Sequence, residues 1–86
     1  MNIAEVIKNF CEDYDYTFYS DYSGWCMYGR RCVGIVCDNT LGALLELADY
    51  IKDNYEDEYS YTELLGSPCM DSLGLSNILY FPKIEV

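Results

Sequence analysis

The chain has 86 residues, enough for one compact domain with a single core and too few for two, so multidomain enzymes and large barrels are excluded. Fifteen Asp and Glu stand against five Lys and Arg, with no His, for a formal net charge of -10. A surface of that sign repels phosphates and argues against direct nucleic-acid binding, while 51% apolar and 16% aromatic residues predict one folded acidic domain over 1–86 rather than a solvated tail.

The first predicted element is an amphipathic helix. Ile3, Val6, Ile7 and Phe10 follow the i, i+3, i+4, i+7 spacing of one buried face, with Asn2 as N-cap and Glu5 in the first turn. Glu12 and Asp13 oppose the helix dipole at a C-terminus, so the helix is expected to end near them. Tyr16 to Tyr22, aromatic and β-branched, suits a strand, and the apolar run Cys32 to Cys37 has the length of a buried one. The glycine-bearing segment between them reads as a hairpin loop, with Gly24 and Gly29 at turn or bulge positions.

Asp38, Asn39 and Thr40 are good caps for a second helix, whose buried stripe is expected at Leu41, Leu44, Leu45, Ala48, Ile51 and Tyr55. Glu46, Asp49, Asp53, Glu56 and Asp57 then fall on a solvent-facing sector. Ser60 and Glu63 form an S-x-x-E capping box, so Tyr61 to Leu65 reads as a short helical turn stopped by Gly66 and Pro68. Met70 to Ser76 reads as a loop, and Ile78 to Phe81 as a last strand limited by Pro82. The expected fold is α+β: a small antiparallel sheet of about three strands packed against two helices, in the order α-β-β-α-(α)-β.

The five cysteines are odd in number, and MNIAEVIKNFCED lacks the basic start and long apolar stretch of a signal peptide. Free thiols in a reducing cytoplasm are the expectation. No apolar run approaches the roughly 20 residues of a membrane-spanning helix, so no membrane partner is expected.

Catalytic chemistry has little to stand on. Without His the chain lacks the commonest general base near neutral pH and the usual partner of a Ser or Cys nucleophile. Surface carboxylates such as Asp13 and Asp15, or Glu56, Asp57 and Glu58, lack the unlike environments that split the pKa values of an acid–base pair. The cysteine separations of 15, 6, 5 and 32 residues match no zinc module, and Asp13-Tyr14-Asp15-Tyr16 lacks the Gly and terminal Glu of a calcium loop. No catalytic residue, metal or cofactor is expected. Ser23 to Arg31 holds two glycines and two arginines but opens no helix, as a phosphate loop would. Arg30 and Arg31 are expected to pair with acids of the domain itself, the alternative being that they anchor a partner carboxylate in bidentate fashion.

The informative pattern is acid interleaved with tyrosine. Acids at 46, 49, 53 and 57 are spaced roughly 4.5 to 6 Å along one helical face, a repeat comparable to that of nucleic-acid phosphates. Tyr50, Tyr55, Tyr59 and Tyr61 add amphipathic rings suited to interfaces. Glu12, Asp13, Asp15 and Asp21, set among Tyr14, Tyr16, Tyr19 and Tyr22, form a second cluster. Mutual repulsion among so many carboxylates costs stability, which favours a functional reason for them over solubility alone.

A chain of under 100 residues, strongly acidic, Tyr-rich and without His, resembles the small phage and mobile-element proteins that disable bacterial defence, among them anti-CRISPR proteins that mimic DNA. SGWCMYGRRCVGIV (Ser23 to Val36) and DSLGLSNILYFP (Asp71 to Pro82) also resemble segments of uncharacterised phage-encoded proteins. The resemblance implies a stoichiometric inhibitor acting in the cytoplasm of a bacterial host, whose acidic side chains block the cationic channel or PAM-reading arginines of a CRISPR effector. Anti-CRISPR proteins share no signature motif, so the candidate contact residues follow from charge geometry: Glu46, Asp49, Asp53, Glu56, Asp57, Tyr50 and Tyr59, with Glu12, Asp13 and Asp15. The expected partner is a cationic nucleic-acid-binding protein. The alternative is a small phage or bacterial adaptor whose acidity serves solubility only.

Overall fold

A computed structural model describes residues 2–25, 27–55, 61, 63 and 65–85. Two helices lie on one face of a four-stranded antiparallel sheet: α1 (Ile3–Tyr14), β1 (Thr17–Tyr22), β2 (Cys32–Cys37), α2 (Thr40–Asn54), β3 (Cys69–Leu73) and β4 (Ser76–Glu85). The strand order is β1-β2-β4-β3. The fold is therefore α+β, with one strand more than the sequence predicts.

Helix α1 forms as its spacing requires, burying Ile3, Val6, Ile7, Phe10 and Cys11, and Asn2 Oδ1 accepts the Glu5 backbone N–H at 2.9 Å. Asp15 adopts a left-handed conformation (φ 60), which Asp tolerates better than most residues, and turns the chain into β1. Asn39 caps α2, its Oδ1 accepting from the Gly42 N–H at 2.9 Å.

The extra strand is β3, in the segment expected as a loop. Asp71 and Ser72 have low strand propensity, but Leu73 pairs with Ser76 across Gly74-Leu75, and Gly74 supplies the positive φ (63°) that a two-residue hairpin turn of the Gly-X form requires. Nor does Pro82 end β4. The β2–β4 register passes from Gly34↔Tyr80 to Cys32↔Glu85, and in that irregularity the N–H that proline lacks is not needed by the ladder.

Alternation along the strands builds two cores. Val33, Ile35, Cys37, Leu79, Phe81 and Ile84 meet the helices. On the other face Cys32, Ile78 and Tyr80 pack with Met27, which the β1–β2 loop plugs into the sheet.

The buried stripe of α2 is a correction. Ala43, Leu47, Tyr50 and Ile51 face the sheet, whereas Leu41 and Leu45 are about 60% exposed (59% and 60%), Leu44 and Tyr55 are half-buried and Ala48 is exposed. The longest leucine row is not the core row, because small Ala43 permits close approach and the Tyr50 ring fills the space beside Phe10. Tyr61, Glu63 and Leu65 are helical, with the Gly66 N–H closing on the Glu63 carbonyl, while Ser60 lies outside the described residues. No described helix is long and apolar enough to cross a membrane.

Candidate functional site

The two acidic segments are brought together by tyrosines. At the end of α1, Tyr14 stacks obliquely on Phe10 (ring centroids 4.6 Å) and meets Tyr50 of α2 edge-on at 6.0 Å. The run of rings continues from Tyr50 to Tyr55 and from Tyr55 to Tyr61. Two hydroxyls cross the junction between the helices. Tyr16 donates to Glu46 Oε1 at 2.6 Å, and the Tyr50 hydroxyl faces Asp13 and Tyr55. Glu12, Asp13 and Asp15 thus lie where the end of α1 packs on α2, the helix that carries Glu46, Asp49 and Asp53, although more than 30 residues separate the two sets in sequence.

Within this surface the roles differ. Glu12, Asp13, Asp15, Asp49 and Asp53 are exposed. Glu46, expected on the solvent side, is half-buried and is tolerated there because Tyr16 satisfies its carboxylate. Tyr50, expected as contact area, is only 9% exposed, so its ring belongs to the core, packed against Phe10 and Tyr14. Glu56, Asp57 and Tyr59 lie outside the described residues. Asp21 sits apart, on β1, where Arg31 approaches it at 3.7 Å; Arg30 pairs with Glu85. Both arginines therefore engage acids of the domain, and among the described residues neither ion pair reaches the joined acidic surface.

Burial and hydrogen bonding raise several hydroxyls and thiols around the site. The Tyr16 hydroxyl is pushed up to about 12, first by its bond to Glu46 and then by burial. Burial, followed by bonds to Tyr55 and Asp13, raises Tyr50 as well. Cys11 is raised to about 12 by burial, then by Cys37 and Glu12, and burial also raises Cys32 and Cys37. A thiol held protonated is a poor nucleophile and a poor metal ligand. Among the described residues no group of three or more Cys, Asp or Glu is close enough to hold a metal ion. The acids form an extended row rather than a chelate.

Two surfaces escape the sequence reading. Beside α2, Leu44, Ala48, Ile51, Leu65 and Pro68 line a largely apolar groove of about 400 Å³ that Asp49 and Lys52 also border. On the opposite face of the sheet, Trp25 and Tyr28 project almost fully into solvent from the β1–β2 loop. The first is hidden by assigning the leucine row to the core; the signal for the second is a Trp and a Tyr in a glycine-bearing loop with no strand alternation to bury them. The chain matches no protein-family model, no curated protein and no solved structure.

Proposed function

We propose that this protein is a stoichiometric inhibitor that occupies the nucleic-acid-binding site of a bacterial defence effector, presenting its acidic surface in place of a phosphate backbone. The observation that carries the reading is the packing of the acidic end of α1, with Glu12, Asp13 and Asp15, against the acid-bearing helix α2, where Tyr16 bonds Glu46 and Tyr14 packs on Tyr50. Holding like charges together costs stability, and a cationic groove recovers that cost on binding. Bracing from below keeps the carboxylates spaced before the partner arrives, which lowers the ordering entropy of association. The role is non-catalytic and needs no cofactor or metal. Steering by a net charge of -10 makes association fast and salt-sensitive. The resemblance to DNA-mimicking anti-CRISPR proteins supplies the choice of a CRISPR effector as the target and of the bacterial cytoplasm as the place of action.

The adaptor reading has its own support in the exposed Leu41 and Leu45 and the adjoining groove, since apolar surface of this kind marks protein–protein contact and phosphate mimicry does not require it. One experiment separates the two. Glu12→Lys, Asp15→Lys, Asp49→Lys and Asp53→Lys are combined in one variant, sparing Glu46, which accepts the Tyr16 hydroxyl, and Asp13, which faces the hydroxyl of the buried Tyr50. DNA binding and cleavage by a CRISPR effector are titrated with parent and variant at low and high salt. The inhibitor reading expects a folded variant whose inhibition is weaker by about 100-fold or more, since each reversed contact in a desolvated charge pair costs on the order of 1 kcal/mol or more. A variant as potent as the parent overturns it. Loss of partner capture on Leu41→Asp with Leu45→Asp, but not on charge reversal, favours the adaptor.

A further inference from the structure

The β1–β2 loop is anchored at its middle and displays what lies on either side. Met27 is fully buried against Cys32, Ile78 and Tyr80. Its N–H donates to the Gly24 carbonyl at 3.0 Å, and its own carbonyl accepts the Arg30 N–H at 3.0 Å and Arg30 Nε at 3.2 Å. Gly24 lies flat against the Tyr80 ring. With both ends of the turn fixed, Trp25 is 91% exposed and Tyr28 94% exposed. Tyr28 also adopts a positive φ (53°), a conformation costing a non-glycine residue about 1–2 kcal/mol that the surrounding bonds must hold.

Trp25 and Tyr28 border an open depression of about 560 Å³, whose lining also includes Ser23, Ser72 and the half-buried Asp71. Asp71 Oδ2 accepts the Tyr22 hydroxyl at 2.9 Å, which orients the carboxylate and leaves Oδ1 as a second acceptor. Among the described residues, the ion pairs of Arg30 and Arg31 run to Glu85 and Asp21, not to Asp71. Aromatic faces around an oriented carboxylate select a flat cation: the ring quadrupole attracts the charge, and the carboxylate accepts its N–H groups. Arginine meets both demands better than lysine, because its planar guanidinium stacks on aromatic faces and is more weakly hydrated.

We propose that this depression is a receptor for an arginine side chain of a protein partner, with Trp25 and Tyr28 as stacking faces and Asp71 as counter-ion. It lies on the face of the sheet opposite α1 and α2 and uses none of the residues of the joined acidic surface, so it stands or falls separately from the inhibitor reading. Two ligand points on opposite faces suit a partner that wraps around the domain.

The test is an NMR titration of the full chain, with N-acetyl-arginine amide as probe and N-acetyl-citrulline amide as its neutral isostere. The expected result is that the Trp25 indole N–H and the backbone amides of 23–25, 27–29 and 71–72 shift with arginine and not with citrulline. Asp71→Asn, which retains an acceptor for Tyr22, should weaken binding about fivefold or more, and so should Trp25→Leu at a position too exposed to affect folding. Shifts confined to α1 and α2, equal shifts with citrulline, tighter binding of N-acetyl-lysine amide, or unchanged affinity in both variants would each overturn the proposal.

Discussion

At the scale of single residues, close approach decides more than charge does. A Cβ added at Gly24 would sit 2.3 Å from Cζ of Tyr80, and that ring is buried between the β1–β2 loop and the sheet, with no room to swing away. Gly24→Ala is therefore expected to destabilise the domain by roughly 1–3 kcal/mol, as overpacking of a filled core does. Urea denaturation checks it: the midpoint should fall with the slope unchanged, and an unshifted midpoint would mean that the loop stands off the ring. The same loop carries Met27 inward and Trp25 and Tyr28 outward, so loosening it at Gly24 should also broaden the Trp25 fluorescence response, Trp25 being the sole tryptophan of the chain.

At the scale of elements, α2 gives the sharpest contrast between pattern and packing. Leu45 belongs to the leucine row yet faces water, while Leu47 is completely buried. Leu47→Asp should abolish cooperative folding, because an unpaired charge in the core costs several kcal/mol against a total stability of about 5–15 kcal/mol, whereas Leu45→Asp should melt within a few degrees of the parent. Thermal melts of the pair are the check, and the opposite ranking would restore the leucine row to the core. What was legible in the sequence follows the same logic. Asn2, Ile3, Val6, Ile7 and Phe10 each point to one α1 and no other, and Cys32 to Cys37 is apolar on both faces of its strand, so neither depended on tertiary contacts. The face of α2 and the existence of β3 did depend on them: one was chosen by Ala43 and Tyr50 fitting beside Phe10, the other by a Gly74-Leu75 turn that lets weak strand formers borrow the β4 ladder. For the candidate site, both acidic clusters are visible in the sequence, but the packing of their two segments is not, since it rests on Tyr14 and Tyr16 reaching side chains of a helix 30 or more residues away. Tyr50 was misjudged for the same reason: a tyrosine on an acidic helix looks like interface until a ring is found stacked on it.

At the scale of the whole molecule, the proton inventory sets an alkaline limit. Tyr16 and Tyr22 are raised from 10.0 to about 12, Tyr16 chiefly through Glu46 and Tyr22 chiefly through burial and then Asp71, and Cys11 is raised from 9.0 to about 12 by burial. The folded state thus holds these protons more tightly than the unfolded chain. Their stabilisation is complete below about pH 9 and is lost as pH climbs through about 12. Melting temperature should stay level through neutral pH and fall across that window, and Tyr16→Phe should flatten part of the fall; an equal fall in that variant would place the loss elsewhere. Acidity has the opposite meaning at the ends of the sheet. In the order β1-β2-β4-β3, β1 and β3 are the edge strands, each paired on one side only by the described strands, the arrangement that lets a sheet recruit another strand. A net charge of -10 keeps any second copy at a distance, so the carboxylates double as guards of two open edges. That guard is withdrawn near the isoelectric point of about 4.1 expected from the sequence, where self-association is expected to rise.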